Sequence, residues 1–210
     1  MRSDLTDITI VMDRSGSMVD CQQEAQNGVN QFIKEQRGHD GSAVLSLVQF
    51  DTEYEFVHRG VPIEDVPEFT LVPRGMTALL DAVGRAINET GVRLSEMAEE
   101  ERPGLVVFVI VTDGEENASH EFSKSQVKEL IERQSKKYSW QFTFLGANQD
   151  AFAEARSMGI PAAASAKYDT QHVGATFHCI SRGVSTMRDD AAAGRPVSLR
   201  YTDEERGQMA

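Results

Sequence analysis

The sequence predicts an α/β domain, doubly wound around a mostly parallel central sheet with one antiparallel edge strand and helices on both faces. Three observations carry that prediction. Short apolar, β-branched runs alternate with amphipathic segments through the 210 residues, which is the pattern of successive βαβ units. One run, "LVVFVIVTDG" (105–114), is continuously apolar until its last three residues, as expected of a central strand covered on both faces. One pair of runs, 43–51 and 54–63, is joined by a link too short for a crossover, so these two are expected to form a hairpin.

Taken in order, "DITIVMD" (7–13) reads as the first buried strand. In the segment after it, Ala25, Val29, Phe32 and Ile33 recur at helical spacing, and Gly38 ends the helix. The hairpin strands come next. A loop containing Pro73 and Gly75 leads to a helix from about Ala78, with Leu80, Val83 and Ile87 on one side. The acidic stretch 96–104 reads as an exposed helix end and loop. After the central strand, Val127, Leu130, Ile131 and Tyr138 mark another helix, and "WQFTFLGAN" (140–148) another strand begun by Trp140 as a core anchor. A short helix over 150–159, a short edge strand within 162–168 and a final helix over about 170–190 follow. The last is striped by Val173, Phe177, Ile180, Val184 and Met187. We expect one domain over residues 1–190 and a polar tail over 191–210, at least part of it mobile. No internal repeat is visible.

Composition narrows the function. The formal net charge is −12. Non-specific nucleic-acid binding relies on Lys and Arg neutralising phosphates, so this balance argues against nucleic acid and equally against anionic membrane surfaces. No apolar run approaches a membrane span, and acidic residues occupy the N-terminal stretch where a signal peptide would be apolar. The two cysteines, Cys21 and Cys179, are expected to be reduced and packed, which suits a cytoplasmic protein. The five histidines show no metal-ligand spacing.

The chemistry gathers where strands end. "IVMDRSGSM" leaves the interior at Asp13 and presents Ser15 and Ser17 at alternate positions, with Gly16 relieving the backbone between them. "VTDG" ends the central strand at Asp113, and "RGMTALLDA" offers Thr77 at a loop-to-helix junction. In doubly wound sheets, ligands bind beyond the carboxyl ends of the strands where strand order reverses. If the strands ending at Asp13 and Asp113 are neighbours there, the carboxylates converge. Two carboxylates and three hydroxyls are hard oxygen donors, a set that selects Mg²⁺ or Mn²⁺, with Ca²⁺ behind them, over Zn²⁺ or copper. Each residue also has a plainer reading. Ser15 and Ser17 would serve as helix caps, Thr77 as an N-cap, Asp113 as a turn residue before Gly114, and Glu115 and Glu116 as solvated charges.

"DRSGS", "GMT" and "VTDG", in this order, resemble the metal-ion-dependent adhesion site of von Willebrand factor type A domains, and the resemblance spans roughly residues 5 to 190. It implies that Asp13, Ser15 and Ser17 are first-loop ligands, Thr77 the second-loop ligand and Asp113 the third-loop ligand of a divalent cation. It also implies a bacterial or phage intracellular protein-binding module, not an enzyme, in which a partner protein donates an Asp or Glu to the metal. Two other classes compete. A Mg²⁺-dependent phosphotransferase would use two carboxylates, but Ser15 stands where the haloacid-dehalogenase motif needs its second aspartate. A structural subunit with a vestigial metal site would not need an intact ligand set. Partner identity and oligomeric state are not legible.

Overall fold

The computed structural model describes residues 1–147 and 150–210. Its order is β1 (Arg2–Asp13), α1 (Gln22–Arg37), β2 (Ser42–Phe50), β3 (Tyr54–Pro62), α2 (Leu79–Glu96), β4 (Pro103–Thr112), α3 (Lys124–Tyr138), β5 (Gln141–Gly146), α4 (Ala151–Ser157), β6 (Ser165–Lys167), α5 (Val173–Ala192) and α6 (Asp203–Met209). The six strands form one sheet in the order β3-β2-β1-β4-β5-β6. All neighbours are parallel except β2 and β3, which form the expected antiparallel hairpin at one edge.

The two central strands explain their own placement. From Leu5 onward every residue of β1 is buried, and β4 is buried from Leu105 to Thr112. An unbroken apolar run of this kind is stable only between two helical layers. α1 packs with α5 on one face, and α2 with α3 on the other. α1 approaches α5 closely, and α2 approaches the segment just before α3 closely. A side-chain carbon on Gly28 would lie 2.4 Å from the Phe177 ring, and one on Gly84 would lie 2.6 Å from Phe122. Trp140 sits just before β5 and stacks on Phe108 with ring centroids 5.4 Å apart. All five stripe residues of α5 are buried. Both cysteines are buried and free.

Several local expectations shift. β1 starts earlier than Asp7, because Arg2–Leu5 also pairs along the sheet. Tyr138 is 50% exposed rather than in the core, since α3 ends there and Ser139 turns left-handed at φ 59°. The strand over 140–148 is shorter, ending at Gly146, and its expected last residue Asn148 lies outside the described residues. The segment after Ala192 is docked over much of its length. Leu199, Tyr201 and Met209 are buried, the Tyr201 hydroxyl shares a 2.8 Å hydrogen bond with Thr143, and Asp169 N–H donates to the Met209 carbonyl at 2.8 Å. A polar composition concealed three apolar anchors, each worth about 1.5–3 kcal/mol when buried. Among the described residues no helix is long and apolar enough to cross a membrane.

Candidate metal centre

Strand order reverses between β1 and β4, which are parallel neighbours with Met12 opposite Val111. Asp13, the last residue of β1, and Asp113, which follows β4, therefore emerge side by side. Asp13 is completely buried. Its Oδ1 accepts the Ser15 backbone N–H at 2.7 Å, and its Oδ2 accepts the Thr112 hydroxyl at 2.6 Å. The first of these bonds closes a tight turn that brings the alternate positions together. Ser15 Oγ lies 3.0 Å from Ser17 Oγ, and Ser17 Oγ donates to Asp113 Oδ1 at 2.7 Å.

Thr77 joins the group from the second loop. A side-chain carbon on Gly114 would stand 2.9 Å from Thr77 Oγ1, 3.4 Å from Ser17 Oγ and 3.7 Å from Ser15 Oγ. The three hydroxyls thus surround one small space, kept open because residue 114 has no side chain. Thr77 is held at both ends of its peptide. Its N–H donates to Asn117 Oδ1 at 2.9 Å, and its carbonyl accepts from Asn117 N–H at 3.0 Å and Ala118 N–H at 3.2 Å.

The loops are braced against each other. Gly16 N–H donates to the Gly75 carbonyl at 3.2 Å, and Arg74 N–H to the Arg14 carbonyl at 2.7 Å. Gly75 has φ +69°, and a side chain there would meet Thr52 Oγ1 at 2.8 Å, so glycine is required on both counts. Beneath the loops, Asp51 accepts from Arg14 at 2.9 Å and from Arg74 at 2.8 Å. Burial pushes the Asp51 carboxyl up, but its hydrogen bonds from Glu53 N–H and Arg74 and the charge of Arg14 outweigh burial and hold it below its ordinary value.

The site carboxylates behave oppositely. Burial raises the Asp13 carboxyl to about 6 against the hydrogen bonds from Thr112 and Ser15, and the charge of Asp113 adds to the rise. Asp113 is also raised, chiefly by burial, although the Ser17 hydroxyl offsets part of it. Among the described residues neither has a basic partner, unlike Asp51, so the pair holds uncompensated negative charge. Among the described residues no group of three or more His, Cys, Asp or Glu side chains is close enough to hold a metal ion. A cation here would depend on hydroxyl oxygens beside the two carboxylates. These donors fit a hard divalent ion.

All five expected residues are thus in one place, and the plainer readings of the hydroxyls fail. The first-loop 3-10 turn, Gly16–Cys21, has no side-chain cap, and the N-cap position of α2 is Ala78, not Thr77. Glu115 is exposed as expected. Glu116 is not a solvated charge. It is partly buried and accepts from Leu80 N–H at 2.8 Å, from Ala118 and Ser119 N–H at 3.0 and 2.8 Å, and from Ser119 Oγ at 2.7 Å, joining the third loop to the first turn of α2. Thr112, Glu116 and Asn117 were missed as positioning residues. Their only sequence signal is the polar run "TDGEEN" after an apolar strand. Histidines His39 and His178 serve in surface pairs with Asp189 and Glu35.

No protein-family model and no curated protein matches the sequence. Solved structures do match. One is proximal thread matrix protein 1 from the mussel byssus with a zinc-occupied MIDAS motif (13% identity, 84% of this chain and 47% of that one, TM-score 0.60). A second is the vWF domain of the type V pili tip protein Mfa5 from Porphyromonas gingivalis (12% identity, 86% and 95%, TM-score 0.62). A third is a von Willebrand factor type A protein from Catenulispora acidiphila (14% identity, 87% and 42%, TM-score 0.57). The chain spans about half the length of the mussel protein and less than half of the Catenulispora one, at 47% and 42%. Such distant likeness establishes architecture alone: the chain has the fold of a von Willebrand factor type A domain.

Proposed function

We propose that this protein is a non-enzymatic, divalent-cation-dependent protein-binding module, with Asp13, Ser15, Ser17, Thr77 and Asp113 holding Mg²⁺ or Mn²⁺. The observation that supports it most is the convergence of three hydroxyls and two carboxylates, neither with a basic partner among the described residues, around the space left by Gly114. Two raised carboxyls that repel each other are unfavourable as they stand, and a cation relieves both. The zinc-occupied MIDAS of the mussel protein supports a divalent ion on this fold.

The chain's own residues have distinct tasks in this reading. Asp13 and Asp113 supply charge. Ser15, Ser17 and Thr77 supply neutral oxygens, and the hydrogen bonds that Thr112 donates and that Glu116 and the Asn117 side chain accept fix the loops before any ligand arrives. The bound cation would offer an exchangeable coordination position to an Asp or Glu of a partner protein, since Mg²⁺ takes about six oxygens and usually keeps several waters. With a net charge of −12, a single acidic residue within a neutral or basic partner surface suits the site better than an acidic tract. Affinity capture from native cell extract with Mg²⁺ or with chelator tests the reading. A partner retained only with Mg²⁺, and lost when one of its interfacial Asp or Glu residues is replaced by Asn or Gln, supports it. Capture indifferent to chelator refutes it.

A further inference from the structure

Large apolar side chains left in water are informative where they gather. Among the described residues six are exposed, and three of them stand on the two loops that carry the hydroxyl donors: Val19 at 58%, Val72 at 60% and Met76 at 51%. Val19 follows Ser17 by two residues, and Met76 immediately precedes Thr77. Val72 is brought to the same face by the pairing of the loops. The Gln22 side-chain amide donates to the Leu71 carbonyl at 2.7 Å, and Gly16 N–H donates to the Gly75 carbonyl at 3.2 Å. Residues 71–75 therefore run beside residues 16–22 in the opposite direction, with Val72 along one stretch and Val19 along the other.

The fold does not require these three side chains to be apolar. In each case a chain neighbour takes the interior position, since Met18, Leu71 and Thr77 are buried. A polar residue at 19, 72 or 76 would cost no core packing. The metal centre opens among them: Ser17 is exposed, while Ser15 and Thr77 are buried. Charge on the loops selects against other occupants. Arg14 is buried against Asp51, and Arg74 pairs with Asp51 at 2.8 Å and with Glu53 at 2.5 Å. Asp20 and Glu115 are exposed beside the site. Apart from a bound cation, these loops hold nothing that attracts a carboxylate, whereas their apolar surface gains by being covered.

We infer that Val19, Val72 and Met76 form an apolar rim that receives a leucine-sized aliphatic side chain of the partner, carried within about two residues of the acid given to the metal. This rests on the metal-dependent reading above and adds to it a partner of stated chemistry, one acid flanked by one large aliphatic residue. The spacing follows from the loops, because Val19 and Met76 lie two residues and one residue from the donors Ser17 and Thr77, and two extended residues span about 7 Å. Met76 suits such an edge, since its thioether chain is flexible and polarizable. The carboxylate fixes the partner at the ion, and the apolar contact excludes water around it.

Short end-blocked peptides of Gly and Ser with one central Asp test it, compared with a series in which Leu replaces Ser one or two positions to either side. Each is titrated into the protein with Mg²⁺ and with chelator, and followed by amide chemical shifts. At one or more positions Leu should tighten the Mg²⁺-dependent binding about fivefold over Ser, with added shifts at residues 18–20 and 72–76. The triple variant Val19→Ser, Val72→Ser, Met76→Ser should erase that gain while keeping the wild-type affinity for Mn²⁺ alone, and each single variant should lose part of it. Metal-dependent binding of the Asp peptide with no benefit from Leu at any position overturns the rim and leaves the metal reading standing. A Leu benefit that persists in the single and triple serine variants also overturns the rim. Binding of no Asp peptide, with or without Mg²⁺, overturns the metal reading and the composite surface with it.

Discussion

Replacing Asp13 by asparagine should stabilise the metal-free protein while abolishing its response to metal. The Asp13 carboxyl is raised by burial from 3.8 to about 6, a difference that corresponds to about 3 kcal/mol of unfavourable charge burial at neutral pH. The sign follows from linkage. The folded state holds its proton more tightly than the unfolded one, so Asp13 is least harmful below pH 3.8, and stability falls as pH rises towards 6. Asparagine removes the charge and keeps the geometry. Its Oδ1 can still accept the Ser15 N–H, and the Thr112 hydroxyl, which now donates to Asp13 at 2.6 Å, can rotate to accept from the amide. The predicted gain in chelator at pH 8 is up to about 3 kcal/mol, or about 6–12 °C in Tm for a chain of this size. Thermal unfolding of both proteins between pH 4 and pH 8, with chelator or Mg²⁺, reads it. The advantage of asparagine should shrink as pH falls through 6, and Mg²⁺ should raise the wild-type Tm only. An asparagine variant less stable than wild type at pH 8 in chelator would refute the charge argument. One that still gained stability from Mg²⁺ would remove Asp13 from the ligand set.

Other outcomes follow from the same geometry. Gly114→Ala, whose added carbon would crowd Thr77 Oγ1 at 2.9 Å, should lower metal affinity at least about tenfold by calorimetry, or about 1.4 kcal/mol, with little change in far-UV circular dichroism. Glu116→Ala leaves the backbone N–H groups of Leu80 and Ser119 without this acceptor and Ala118 N–H with the Thr77 carbonyl alone, and should cost about 1–3 kcal/mol in denaturant unfolding, with weaker metal binding through the displaced Thr77. Truncation after Pro196 removes Leu199, Tyr201 and Met209 from the core and should lower stability by several kcal/mol, read as a lower unfolding midpoint in urea. An unchanged midpoint would show the segment to be unneeded for packing.

Much of this was legible because it is written in local patterns. The hairpin followed from link length, β4 from an unbroken apolar run, and α5 from a stripe whose five members are all buried. The site was legible because small hydroxyl and acidic residues end apolar strands, and sheet topology does the rest. What stayed hidden depends on contacts distant in sequence. Thr112 matters only because β1 places Asp13 opposite it, 99 residues away. Glu116 resembles its solvated neighbour Glu115 until α2 is seen to begin against it. The Asp51 pairing with Arg14 and Arg74 has no periodic trace. Tyr138 kept the helical spacing but fell on the last turn of α3, beyond the layer it would have packed against. The tail misled through composition, since three buried side chains are too few to form a recognisable pattern.

The most direct measurement of the central claim is a Mn²⁺ titration followed by paramagnetic broadening of backbone amide signals. If Asp13, Ser15, Ser17, Thr77 and Asp113 hold the ion, amides of residues 13–17, 75–78 and 113–115 broaden first, excess Mg²⁺ restores them, and Asp113→Ala abolishes the effect. Broadening that begins elsewhere, for instance on the exposed acidic turn Glu99–Glu101, or that persists in Asp113→Ala, would contradict a metal centre at the β1–β4 switch point.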